Sequence, residues 1–183
     1  MPSNLEMPLY NDLQYTQHVF EAIAFEDYTG RGNYRMIGAI RTQGALTIYT
    51  FSDAINADSF SGAMSRVNGL QTSLLPSTTI TSFVAEQGVL ILGCPACNNN
   101  IGKVYMYSLS NLKKIDEYSG SNSYQYLGYQ ILPTSNVRGS NQFWITSRSS
   151  SRNINLHSVV VFEDLDTGKY YAEMKWDLFG FSS

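Results

Sequence analysis

An all-β fold of antiparallel, four-stranded units is what this sequence predicts, and three observations predict it. The composition is poor in charge and rich in strand and turn residues. The apolar residues fall in short runs, not in long helical stripes. The same succession of runs returns three times along the chain. Charged residues make up only 15% of the 183, against about 25% in an average soluble domain. There are 13 Tyr and 9 Phe, residues that suit a pleated, half-buried surface, while the abundant Ser, Asn and Gly suit tight turns. An apolar content of 43% is too high for a disordered chain and enough for a real core.

The repeat is read from three segments: YRMIGAIRTQGALTIYTFSD (34–53), VLILGCPACNNNIGKVYMYSLSN (89–111) and FWITSRSSSRNINLHSVVVFEDLDTGK (143–169). Each holds a short apolar strand, a loop of small or polar residues, and a second strand rich in β-branched and aromatic residues. The first strands centre on Ile37, Leu92 and Ile145, the second on Ile48, Met106 and Val161. Another apolar run precedes each pair: VFEAIAF (19–25), SLLPSTTITSF (73–83) and YLGYQILP (126–133). A further candidate strand, such as KYYAEMKWD (169–177), follows. The period lies in the low-to-middle fifties, and a unit of about four strands is the content of a propeller blade. The expected organisation is an N-terminal arm or edge strand over 1–18, blades over 19–72, 73–125 and 126–178, and the start of a fourth blade at 179–183. A β-sandwich is the alternative fold, and it would show no regular repeat in strand order.

The unit resembles the FG-GAP repeat of integrin alpha subunits and related β-propellers. In that family a Phe-Gly opening leads to a calcium loop, a strand ending in Gly-Ala-Pro, and a return strand of the Gly-x-Val-Tyr-Val-Tyr kind. Unit one offers FEAIAFEDYTGRGNYRMIGA, with Phe20, Asp27, Gly30, Gly32 and Gly38-Ala39 at matching places. Unit two places Gly93-Cys94-Pro95 at the Gly-Ala-Pro position and GKVYMY (102–107) on the return strand, and Phe179-Gly180 matches a fourth opening. The resemblance runs over residues 19 to 183. It implies blades in a ring, and an extracellular or cell-surface adhesion role. The calcium loop is degenerate. Around Asp27 stand Thr29, Arg31 and Arg35 where the family has Asn and carboxylates, and units two and three carry no carboxylate series there. Calcium needs six to eight oxygen ligands, several of them anionic, and a guanidinium in the cage opposes it. Arg31 or Arg35 is therefore expected to replace the ion with an internal salt bridge, and no metal or other cofactor is called for.

Net charge is −3, and Lys113-Lys114 is the longest basic run. That is not the footprint of a nucleic-acid binder. No apolar run approaches the roughly 18 residues that span a bilayer as a helix. The stretch MPSNLEMPLYNDLQ has no secretion-signal pattern, and no Asn-x-Ser/Thr sequon occurs. The compartment stays open.

Cys94-Pro-Ala-Cys97 has redox spacing, but it stands at a strand end and leads into Asn98-Asn99-Asn100, not at the helix N-terminus that lowers a thiol pKa. Zinc would need two more ligands, and the remaining Cys/His candidates are His18 and His157. A structural role, as buried thiols or a local disulfide, is the expectation. No Gly-x-Ser-x-Gly elbow occurs, and both histidines read as surface or partly buried polar residues, His157 in a loop before a strand. Gly30-Arg31-Gly32 lacks the glycine pattern and lysine of a P-loop.

The functional expectation is a non-enzymatic, protein-binding or adhesion-type scaffold. Its binding rim would join the loops Arg41–Gly44, Pro95–Ile101 and Ser147–His157. Within it Arg41, Asn98, Asn99, Asn100, Arg148 and Arg152 are the contact residues, locally basic and suited to an acidic partner. Three blades do not close a ring of the family's size, so other protein chains or the rest of a longer propeller are the expected partners. Two other roles fit the same blades: a structural subunit of a large assembly, or an accessory propeller beside the catalytic domain of a phospholipase-like enzyme.

Overall fold

The computed structural model describes residues 6–7, 18–27, 34–42, 45–51, 67–72, 80–111, 113–123, 125–134, 140–148, 153–164 and 167–181. Most of them are strand. The chain divides into two compact units, Met1–Ser77 and Thr78–Ser183.

The first unit is one antiparallel sheet in chain order: β1 (Glu6–Met7), β2 (His18–Asp27), β3 (Tyr34–Thr42), β4 (Ala45–Phe51) and β5 (Val67–Thr72). The short β1 pairs its two residues with Val19 and His18, so Glu6 and Met7 form the edge of this sheet. Met36, Ile37, Ala39, Leu46 and Ile48 are buried.

The second unit contains two four-stranded antiparallel sheets. One is β6 (Ser82–Glu86), β7 (Val89–Cys94), β8 (Lys103–Ser108) and β9 (Lys114–Ser119). The other is β10 (Ile131–Pro133), β11 (Ser140–Arg148), β12 (Ile154–Asp164) and β13 (Lys169–Phe181). Each is a simple meander, because neighbouring strands are joined directly and no crossover is needed. The protein is thus all-β, and three successive segments each form a meander of four consecutive strands.

The two sheets of the second unit pack face to face around one core: Val89, Ile91, Val104 and Met106 on one side, Leu127, Ile131, Phe143, Ile145, Val159 and Val161 on the other. Alternation along the strands produces this. In β13, Tyr170, Ala172 and Met174 pack against the core while Tyr171, Glu173 and Lys175 between them are exposed. The strands also stack in order, since β6 touches β10 and β9 touches β13. At the β9–β13 edge the Tyr118 hydroxyl donates to the Ala172 carbonyl at 3.1 Å.

Three sequence expectations are corrected here. Phe179, Gly180 and Phe181, expected to open a fourth unit, continue β13 and pair with Leu156, Asn155 and Ile154. The strand-forming character of that segment is satisfied by a partner already present, on the far side of an irregularity in register between Leu156 and Ser158. Arg41 and Arg148 lie inside strands, not in loops: β3 runs to Thr42, and β11 ends at Arg148. His157 is not in a loop either. It lies within β12, opposite Ile145, and is fully buried. In phase with Val159 and Val161, it points to the core because period 2 leaves it no other face.

Candidate functional site

The hairpin between β7 and β8 contains both cysteines, and they form a disulfide, with Cα atoms 5.4 Å apart. Between the cysteines and β8 the chain makes one turn over Cys97–Asn100. Asn98 (φ 54°, ψ 52°), Asn99 (φ 56°, ψ 47°) and Asn100 (φ 67°) are all in the left-handed region. Asn tolerates that region better than any other residue with a side chain apart from Asp, because its short amide bonds locally. Three in a row explain the composition of this loop without any redox role. The turn is closed by Gly102, whose N–H donates to the Cys97 carbonyl at 3.0 Å. Asn98 and Asn99 are exposed and Asn100 is half-buried.

This turn is fastened to the third sheet through residues 125–130. The Tyr126 N–H donates to the Asn100 carbonyl (3.0 Å), and the Leu127 N–H to the Ile101 carbonyl (3.2 Å). One residue earlier, the Gln125 carbonyl accepts from the Arg148 N–H at 2.6 Å. Gly128 and Tyr129 donate to the Thr146 carbonyl, and Thr146 donates back to Gln130. The buried Gln125 side chain braces the segment, its Oε1 accepting from the Ser121 and Asn122 amides at 2.6 and 3.2 Å. Close approach is possible only because side chains are missing. A Cβ on Gly93 would lie 2.1 Å from the Gly128 carbonyl oxygen, and one on Gly102 would lie 2.1 Å from the Leu127 nitrogen. Two of the expected contact regions, Asn98–Asn100 and Arg148, are therefore brought together at one end of the second unit.

The other expected site residues are distributed differently. Arg41 belongs to β3 in the first unit, and its side chain lies outside the described residues, as do Arg152, Thr29 and Arg31. Asp27 ends β2, and only its backbone is described. Arg35 forms an ion pair with Glu26, its direct cross-strand neighbour, and Glu26 is fully buried. This ion pair joins the two strands on either side of the degenerate loop, whose residues 28–33 lie outside the described residues. Among the described residues no group of three His, Cys, Asp or Glu side chains is placed to hold a metal ion.

Sequence reasoning missed one pairing at this end of the sheets. The Ser147 hydroxyl and His157 Nε2 are 2.7 Å apart, both residues essentially inaccessible to solvent. The Trp176 ring meets the imidazole edge-on, with centroids 5.3 Å apart, and meets Tyr118 of the second sheet edge-on at 6.2 Å. A serine within reach of an imidazole is one part of a nucleophilic arrangement. Here Ser147 lies one residue before the end of β11 and His157 within β12, and their bond satisfies two buried polar groups. The signal was present in the sequence: His157 keeps phase with Val159 and Val161, and Ser147 with Phe143 and Ile145.

Electrostatics are mild. Burial pushes the Tyr107 phenol up to about 12, reinforced by Tyr105 and Glu117. Tyr118 is pushed up to about 12 by burial and then by the Asp116 carboxylate. The hydrogen bond from Lys114 holds Glu117 below the usual carboxylate range, with help from Lys103.

The chain matches no protein-family model, and no curated protein is similar to it in sequence.

Proposed function

We propose that this protein is a non-enzymatic, protein-binding scaffold of the adhesion type, built from propeller-like blades and meeting its partner through loops on one rim. The observation that carries this reading is the backbone junction in which Asn100 and Arg148, from hairpins of successive sheets, are tied to the consecutive residues Tyr126 and Gln125. A junction of that kind holds the Asn98–Asn100 turn and the end of β11 in fixed relation, with Asn98, Asn99 and Arg148 exposed. Preorganised polar groups of this sort suit protein recognition, since little conformational entropy is lost on binding. Three meanders of four strands in chain order, with the FG-GAP resemblance, support the blade reading; function itself rests on the site, not the fold. The sealing of Ser147 and His157 supports a non-catalytic role.

The test is charge reversal on the rim. Arg148→Glu with Arg152→Glu is expected to abolish co-purification of an acidic partner chain while the melting temperature stays unchanged. Undiminished capture by the doubly reversed protein would rule out this rim.

A further inference from the structure

Backbone strain in the second unit is concentrated beside the disulfide. Four of the five described non-glycine residues with positive φ are Asn98, Asn99, Asn100 and Tyr126, and the first three follow Cys97 without a break. A left-handed backbone is uphill for any residue with a side chain, and it persists only where the surroundings hold it. Two sets of bonds hold it here. In one, the Asn100 and Ile101 carbonyls accept from the Tyr126 and Leu127 amides, and Gly102 bridges to Leu127 in parallel. The other is the Cys94–Cys97 bond, which ties the start of the turn to the last pair of the β7–β8 ladder, Cys94 with Lys103. The disulfide itself gains little from closing its loop. Its cysteines are separated by 3 positions, and the stabilisation that a cross-link draws from the unfolded chain grows with loop length. A bond that gains little from loop closure and restrains a strained turn opens readily to thiols, as regulatory disulfides do.

We propose that Cys94–Cys97 is a reducible latch: reduction frees the Asn98–Asn100 turn from Tyr126 and Leu127, and reoxidation refastens it. The pair acts as a switch on the fold, not as a catalyst. A small thiol of the glutathione class supplies the electrons. Its thiolate attacks Cys97 Sγ, whose chain neighbours Ala96 and Asn98 are exposed. The S–S bond breaks, and Cys94 leaves as a thiolate that takes up a proton. A second thiol then displaces Cys97 from the mixed disulfide, so the protein gains two electrons and two protons while the two small thiols end as one disulfide. Both cysteines are buried, and attack therefore follows a local opening of the turn. The latch would control the rim, since the freed turn carries Asn98 and Asn99; that consequence rests on the rim reading, whereas the latch itself does not.

The purified chain tests this without any partner, so a failed latch and a failed rim are read separately. Oxidised protein is equilibrated in graded mixtures of reduced and oxidised glutathione, trapped with iodoacetamide and weighed intact. The disulfide is expected to open within that series in the absence of denaturant, and reoxidation to restore the starting mass. In the reduced chain, amide exchange at Gly102, Tyr126 and Leu127 is expected to quicken about tenfold or more, while β8 and β12 exchange as before. C94A/C97A should exchange like the reduced chain and be indifferent to glutathione, and the reoxidised wild type should recover its protection. A disulfide that stays closed across the series overturns the proposal. So does unchanged exchange at Tyr126 and Leu127 after reduction, or a C94A/C97A chain as protected there as the oxidised protein. Faster exchange throughout β8 and β12 overturns it too, because reduction would then unfold the sheets instead of releasing the turn.

Discussion

The second and third sheets come from equivalent segments and have the same strand order, yet their environments differ. In the second, β7 is buried at all six positions. In the third, its counterpart β11 alternates buried Asn141, Phe143, Ile145 and Ser147 with half-buried Gln142, Trp144 and Thr146. The second sheet also carries the Gly93 and Gly102 close approaches, the disulfide and the asparagine turn. What this teaches is that a repeat sets the path of the chain, whereas position in the stack sets which substitutions each copy bears.

The largest test of that contrast compares two phenylalanines of the third sheet itself. Phe143 is fully buried between the sheets, and Phe143→Ala is expected to cost about 3–5 kcal/mol, as lost transfer energy plus a cavity. Phe162→Ala on the outward face should cost about 1 kcal/mol or less. Urea unfolding of both variants at low concentration decides it, and equal losses would erase the distinction between the faces. Next comes Gly93→Ala. The added methyl meets backbone, not a flexible side-chain end, so a loss of about 1–3 kcal/mol is expected. Amide exchange should show it concentrated at Gly128 and Tyr129. An alanine accepted without loss would mean that the 125–130 segment is not held against β7.

Removing the disulfide with Cys94→Ala and Cys97→Ala should cost about 2 kcal/mol, the modest value for a short loop. Its local effect should be loss of protection at Gly102 and Tyr126, whose N–H groups close the junction. Loss of protection across β12 and β13 instead would show that the sheets share one cooperative unit. The smallest effect is alkaline. Tyr107 and Tyr118 are both raised to about 12 from an ordinary value of 10.0. Their contribution is fully present below pH 10. Above it the unfolded chain releases protons that the folded chain retains, so stability falls until both tyrosines ionise near pH 12. Tyrosinate absorbance should therefore show a late-ionising population, and Tyr107→Phe should shrink both that population and the alkaline loss. A single titration at the ordinary value would contradict the burial of Tyr107.

Much of this architecture was legible before any coordinate. Short apolar runs marked β3, β7 and β11, and β-branched or aromatic content marked β4, β8 and β12, because a strand that is packed in a core must be apolar over a few consecutive residues, as β7 is at all six positions. Arg31 or Arg35 beside the degenerate loop pointed to a salt bridge, since a cation there needs an anion, but which of them pairs, and that Arg35 meets Glu26 across the strands, came only with the register. The placement of Asn98–Asn100 in a turn was also visible, although their shared left-handed conformation was not. Segment ends were the weak part. Whether Phe179–Phe181 begins a new strand or prolongs β13 depends on which neighbour is free to pair, and local composition does not carry that information.

By itself, then, the sequence determined the strand content, the threefold recurrence and the cysteine pair at a strand end, since propensity and periodicity act over a few residues. Only the tertiary structure decided that Ser147 meets His157, that Asn100 and Arg148 share a junction, and that Phe162 and Tyr171 are left facing outward. Those outcomes depend on register across strands and on which sheet covers which face, contacts between residues far apart in the chain, which local propensities do not encode.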